Sequence, residues 1–296
     1  MLTKTNFNAS SLLVGLVLAL FGTLPASATE YDLTGPGSSA TDSGVIFTQI
    51  NPQSTGTGLI DSFAQVGQPG GSLTFTQGYN TTVNNVLNNG ASDNFNHALN
   101  LSSVPTVTVS GTSYREFVLD INETGSNPLL SVSDIQVFLT NTGNQSVTSF
   151  CPNGSCPAPI NKGDLLLADS KLIYRLDGNG SNPQDDSIKL DYSLNHGSGS
   201  GDMIMLVPNS LFTGGYTQVV LFSSFGKPIA QDDGFEEWFV CRNKSTGAPQ
   251  ACTGSTSGTN VSGSGSGTIP EPASALLLGL GLVWWRRRTL REVIAR

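Results

Sequence analysis

The chain has 296 residues, 12% of them charged and 38% hydrophobic, with 34 glycines and four cysteines. Its net charge of −8 understates the acidity of the middle: Lys4 and the five arginines from Arg286 onward are six of the 14 basic residues, and between them lie eight basic residues against 21 acids, a net of −13. That excludes a phosphate-binding nucleic-acid surface, which needs clustered Lys and Arg, and adhesion to anionic membranes, while the apolar content excludes a disordered chain.

The N-terminus reads as an export signal. Lys4 precedes an uncharged run over 11–24, SLLVGLVLALFGTL, and Pro25 then leads into Ala26-Ser27-Ala28. A positive start, an apolar stretch and an A-x-A site predict a signal peptide over 1–28, cleaved after Ala28. A body over 29–252 follows. Its first part, 29–44, is polar and Gly-rich.

From there short runs rich in β-branched and aromatic residues alternate with Gly, Asn, Pro and Ser clusters. In order they begin at Gly44 (VIFTQI follows), Ser72 (LTFTQ), Thr106 (VTV), Tyr114 (REFVLDIN), Asp134 (IQVFLT), Lys171 (LIYRLD), Ser187 (IKLDYSL), Met203 (IMLV), Gln218 (VVLFS) and Phe235 (EEWFV). Several alternate with period two, which is the mark of a strand with one buried face. Phe117, Leu119 and Ile121 share a face, as do Ile135, Val137 and Leu139, then Leu172, Tyr174 and Leu176, then Ile188, Leu190 and Tyr192. Pro208 and Pro228 stand where runs end, as strands require. The best helical candidate, 84–101, is too rich in Asn to be one. The prediction is an all-β, antiparallel β-sandwich or jelly-roll ectodomain. Two tandem sandwiches divided at the Cys151–Cys156 loop are the alternative.

Four cysteines allow three pairings. In an exported chain disulfides are the default, and the local pairs Cys151 with Cys156 and Cys241 with Cys252 are favoured, because the four residues PNGS between the first two read as a turn. A zinc site is disfavoured, since there is no C-x2-C pair and no His nearby.

Chemistry has little material to work with. His97 and His196 are the only histidines, and no G-x-S-x-G elbow occurs. Residues 195–202, NHGSGSGD, combine His, Ser and Asp, but their glycines read as a hairpin loop. Asp177, Asn179 and Ser181 have the oxygen spacing of a calcium loop, with Asp185, Asp186 and Asp191 beyond, yet the sixth position is Asn182 and the twelfth is Ile188. The loop is therefore no EF-hand; Asp177, Asn179, Asp185 and Asp186 are weak metal candidates, and neither a metal nor a cofactor is expected. In Asp232-Asp233-Gly234-Phe235-Glu236-Glu237-Trp238 the acids stand beside aromatics, as in sugar sites. On a strand, however, Glu236 and Glu237 point to opposite sides and Trp238 enters the core.

Residues 253–268, TGSTSGTNVSGSGSGT, form a flexible linker. The tail over 269–296 has three parts: Pro270-Glu271-Pro272, an uncharged run over 273–285 ending in Trp284 and Trp285, and Arg286-Arg287-Arg288. As a helix the run reaches roughly 20 Å, short of a bilayer core of about 30 Å. The tryptophans suit the membrane interface, and the arginines suit its cytoplasmic side. This tail resembles the PEP-CTERM sorting signal of exported bacterial proteins, departing from it in the extension TLREVIAR, which places Glu292 among basic residues. The resemblance implies a membrane-anchored stage, an exosortase-type processing enzyme as partner, and delivery to the cell surface or an exopolysaccharide matrix. Residues 188–203 and 232–238 look similar to segments in the bodies of other such proteins.

The expected function is that of a non-enzymatic envelope or matrix protein. Two other classes compete with it. A carbohydrate-binding module would need coplanar exposed aromatics, with Tyr79, Tyr216 and Trp238 available. A secreted hydrolase would need a nucleophile and base, which the sequence does not supply.

Overall fold

The computed structural model describes residues 28–50, 60–67, 73–89, 94–152, 156, 160, 162–176, 186–197 and 201–252. Residues 1–27 of the expected signal peptide, the linker and the tail with Pro270, Glu271, Pro272 and Arg286–Arg288 lie outside them, as does the 273–285 run. Among the described residues no helix is long and apolar enough to cross a membrane.

The described residues form strands and three short 3-10 turns, with no α-helix. In chain order the strands are β1 (Glu30–Asp32), β2 (Ser39–Asp42), β3 (Val45–Gln49), β4 (Ile60–Gly67), β5 (Thr76–Tyr79), β6 (Leu99–Asn100), β7 (Thr106–Val109), β8 (Thr112–Asp120), β9 (Leu129–Thr140), β10 (Lys171–Arg175), β11 (Ser187–Asp191), β12 (Met203–Pro208), β13 (Gln218–Phe225) and β14 (Phe235–Cys241). One sheet has the order β1-β11-β9-β13-β5, with β10 also on β9 and β6 on β13. The other has the order β2-β3-β12-β8-β14-β4, with β7 on β8. Every pairing is antiparallel except β1 with β11.

The fold is all-β, with the inner faces of the two sheets meeting in one core. Phe47, Phe63, Phe117, Leu119, Met205 and Trp238 of one sheet pack with Leu130, Ile135, Val137, Leu139, Leu221 and Phe225 of the other. The Trp238 indole N–H donates to Ser223 Oγ on the facing sheet at 3.0 Å. A buried indole needs such a partner, so the bond sets how Trp238 sits. Strands before and after the Cys151–Cys156 loop interleave in both sheets. The tandem-sandwich alternative is therefore corrected to one two-sheet body.

The expectation of one buried face per strand also needs correction, because the outer faces are covered too. Phe138, Val220, Phe222 and Tyr79 lie under Val86, Leu165 and Leu167. Val118, Ile204, Leu206 and Phe239 form a third cluster with Cys241. The Leu172 face differs from expectation as well. The register with β9 shifts between Leu172 and Tyr174, so Leu172 packs on the outer cluster while Tyr174 and Leu176 remain in the core. The strand expected from Ser72 instead starts at Thr76.

Strand β4 escapes a period-two reading. Against its partner β14 it carries one extra residue, Phe63, between Ser62 opposite Phe239 and Ala64 opposite Trp238, so adjacent Phe63 and Ala64 are both buried in the core. At its end Gly67 takes φ +148°, and a Cβ there would lie 2.5 Å from the Gly234 carbonyl oxygen. Only glycine allows that approach.

In its described residues, 84–89 and 94–101, the Asn-rich stretch holds turns and β6 and no α-helix. Its asparagines act as substitute strand partners. Asn89 accepts from Tyr79 N at 3.0 Å and donates to Tyr79 O at 2.6 Å; Asn88 accepts from Gln77 N at 3.0 Å. Side chains that compete for backbone in this way disfavour helix. Both local disulfides are present: Cys151–Cys156, with Cα atoms 5.8 Å apart, and Cys241–Cys252, 5.1 Å apart.

Candidate functional site

The acids of the 232–238 stretch gather around the exit of β8. Past Asp120 the chain crosses to the other sheet, and its amides have no strand partner there. Carboxylates from three elements take them instead. Ile121 N donates to Asp202 Oδ2 at 2.8 Å, Asn122 N to Glu236 Oε2 at 2.8 Å, and Thr124 N to Asp232 Oδ1 at 3.1 Å. Thr124 Oγ1 adds a bond to Asp232 Oδ2 at 2.8 Å, and Asp232 N returns one to Glu123 Oε2 at 2.8 Å. Buried amides need partners, so these acids do the work of a missing strand.

From Glu236 the network runs toward the other sheet. Gln231 Nε2 donates to Glu236 Oε1 at 2.6 Å, and Thr76 Oγ1 donates to Gln231 Oε1 at 2.6 Å. Burial sets the charge states. It pushes Glu236 well above the usual carboxylate range, with Glu123 and Asp120 adding to the effect. It pushes Glu123 up to about 9, aided by its hydrogen bond to Asp232. Asp232 moves the other way, to about 2: burial opposes this, but hydrogen bonds from Glu123 and Thr124 outweigh it. Near neutral pH Glu123 is therefore a carboxylic acid donating to the Asp232 carboxylate. Burial also lifts Asp202 to about 8, against the Ile121 N–H bond and with help from Asp120.

Glu236 and Glu237 occupy opposite faces. Glu236 is buried with Trp238, while Glu237 accepts from Ser62 Oγ at 3.2 Å and Gln65 Nε2 at 2.7 Å on the outer side. They form no facing pair. Sequence reading missed Asp120 and Glu123 and read Asp202 only as part of the 195–202 loop; these acids lie far along the chain from Asp232 and Glu236. The available signal was local: Glu116 and Asp120 bracket the apolar run Phe117-Val118-Leu119 at the buried end of β8.

Compared with known family models, curated proteins and solved structures, the chain matches none. What the body does must therefore be argued from its own groups.

His97 has acceptors at both ring nitrogens, Asp61 at 3.5 Å from Nε2 and the Ala98 carbonyl at 3.0 Å from Nδ1. Such a ring favours the cation; the Asp61 bond raises its pKa first, with burial opposing. Arg242 also pairs with Asp61. His196 is exposed, with Nδ1 3.0 Å from the Tyr192 carbonyl, whereas Asp202 is 2% exposed and turned to Ile121. The 195–202 loop does not bring them together, and Ser198 and Ser200 lie outside the described residues.

Of the metal candidates, Asp177, Asn179 and Asp185 lie outside the described residues. Asp186 is buried and accepts from Thr29 N at 2.5 Å. Among the described residues no group of three or more His, Cys, Asp or Glu is placed to hold a metal ion. The aromatics proposed for sugar stacking are corrected: Tyr79 and Trp238 are fully buried, and Tyr216 packs half-buried on the core.

Proposed function

We propose that this chain is an exported, non-enzymatic protein of the cell envelope or exopolysaccharide matrix, sorted by a PEP-CTERM-like tail and built on a sandwich of jelly-roll type. The observation that carries the reading is the order Pro270-Glu271-Pro272, apolar 273–285, Arg286–Arg288. A plain anchor has no use for the prolines at the boundary and is usually longer. Two disulfides fit an oxidising compartment. Thr29 supports the predicted cleavage. Cut after Ala28, its amide becomes an ammonium, and the 2.5 Å bond to Asp186 becomes charge-assisted. An exosortase-type enzyme is the proposed processing partner, with the membrane engaged through the C-terminal run.

The test replaces Pro270, Glu271 and Pro272 with alanine in a host carrying an exosortase. The expected outcome is loss of surface delivery and retention of a heavier, unprocessed chain in the membrane fraction. Unchanged delivery and unchanged mature mass would refute the sorting role.

A further inference from the structure

The buried path from Thr76 to Glu236 has the parts of a covalent reaction. Thr76 is on β5 of one sheet, and Gln231 is on the segment entering β14 of the other. Thr76, Gln231 and Glu236 are 1%, 3% and 0% exposed. Thr76 Oγ1 sits 2.6 Å from the amide oxygen of Gln231. The amide nitrogen faces acceptors alone: Glu236 Oε1 at 2.6 Å and the carbonyls of Asp233 and Gly234 at 3.4 Å each. That fixes the orientation of the amide and places a carboxyl group on the nitrogen that would depart. Two bonds hold the neighbouring backbone: Gln231 N donates to Thr74 O at 3.2 Å, and Asn122 N to Glu236 Oε2 at 2.8 Å.

We propose that Thr76 and Gln231 join through an intramolecular ester that cross-links the two sheets, with Glu236 as the proton-transferring group. Thr76 Oγ1 attacks the Gln231 amide carbon, and a C–O bond forms. The C–N bond then breaks, and the nitrogen leaves as ammonia. Glu236 gives its proton to that nitrogen and recovers the proton lost by the hydroxyl. Nothing is oxidised or reduced, and no co-reactant is consumed. Burial keeps Glu236 in the protonated form this step needs. Holding hydroxyl and amide in contact replaces the entropy cost of an encounter, and exclusion of water protects the ester from hydrolysis. Unlike the two disulfides, this link survives reduction.

The test is peptide mapping by mass spectrometry on the full chain, reduced and then digested. The expected result is a peptide containing Thr76 joined to one containing Gln231, lighter than their sum by one ammonia, and separated by hydroxylamine. Thr76→Ser keeps a hydroxyl and retains the link. Thr76→Val loses it, and Glu236→Gln loses it or forms it slowly. Separate, unmodified peptides from the wild-type chain overturn the proposal whether or not any variant folds. So does an ammonia loss confined to a single peptide, which marks a cyclised Asn.

Discussion

Glu123 and Asp232 show how one residue's charge depends on another far away in sequence. The Asp232 carboxylate is served by Thr124 and by Glu123, and Glu123 keeps its proton because it is buried and has that carboxylate to donate to. An acid whose native pKa exceeds its unfolded value holds a proton in the native state alone over the interval between the two. Stability then falls as pH rises across that interval. For Glu123 the interval runs from 4.5 to about 9. Glu116, lifted to about 7, and Asp202, lifted to about 8, act with the same sign, both through burial. His97, whose pKa is raised, does so too. Asp232, lowered to about 2, has the opposite sign, and its contribution is lost only in stronger acid. The melting temperature is expected to fall steadily from about pH 5 to about pH 9. Glu123→Gln keeps the shape and the neutral state but cannot titrate, so its slope over that range should be shallower. Equal slopes would mean that Glu123 holds no such proton. None of this is legible in sequence, where Glu123 is one acid in a polar turn.

At the scale of elements, the alternating runs placed most strands, because period two is a property of each run alone. No such run marked β1, β2, β4 or β6, and bulges break the alternation in β4 and β10. Phe63 with Ala64, and Leu172 with Ile173, break the alternation where the chain gains a residue against its partner. The two staples differ in span. Cys151–Cys156 closes a separation of 5 residues and Cys241–Cys252 one of 11. The second also fixes the end of the body, where Cys252 N donates to buried Glu116 at 2.6 Å. Chain entropy alone gives each staple on the order of 2–3 kcal/mol, more for the longer loop. Replacing Cys241 and Cys252 with Ser is therefore expected to lower the denaturation midpoint more than replacing Cys151 and Cys156. The reverse order would show that strain or the packing near Asp164, whose carbonyl accepts from Cys151 N at 2.8 Å, outweighs loop length.

At the scale of the whole molecule, all three apolar clusters of the described residues are built from side chains between Tyr31 and Cys252. The linker adds no apolar run. A chain limited to residues 29–268 is expected to be monomeric and β-rich by circular dichroism, its net negative charge opposing self-association. Aggregation or loss of β signal would mean that the tail contributes to burial. Millimolar Ca²⁺ should leave the melting temperature of that chain unchanged; a saturable rise would place a metal on the 177–186 loop by mass action. The sequence by itself determined what depends on local order: the signal pattern, the alternation of strands, the adjacency of each cysteine pair and the three-part tail. The tertiary structure alone decided which strands share a sheet, that outer faces are covered as well as inner ones, and that Asp120, Glu123, Asp202, Asp232 and Glu236 meet. Sheet order and carboxylate clustering arise from contacts between residues roughly a hundred positions apart, as with Ile121 and Asp202, at |i−j| 81, and Thr124 and Asp232, at 108. Chain periodicity carries no record of such pairings, because any strand with an apolar face satisfies the pattern equally well.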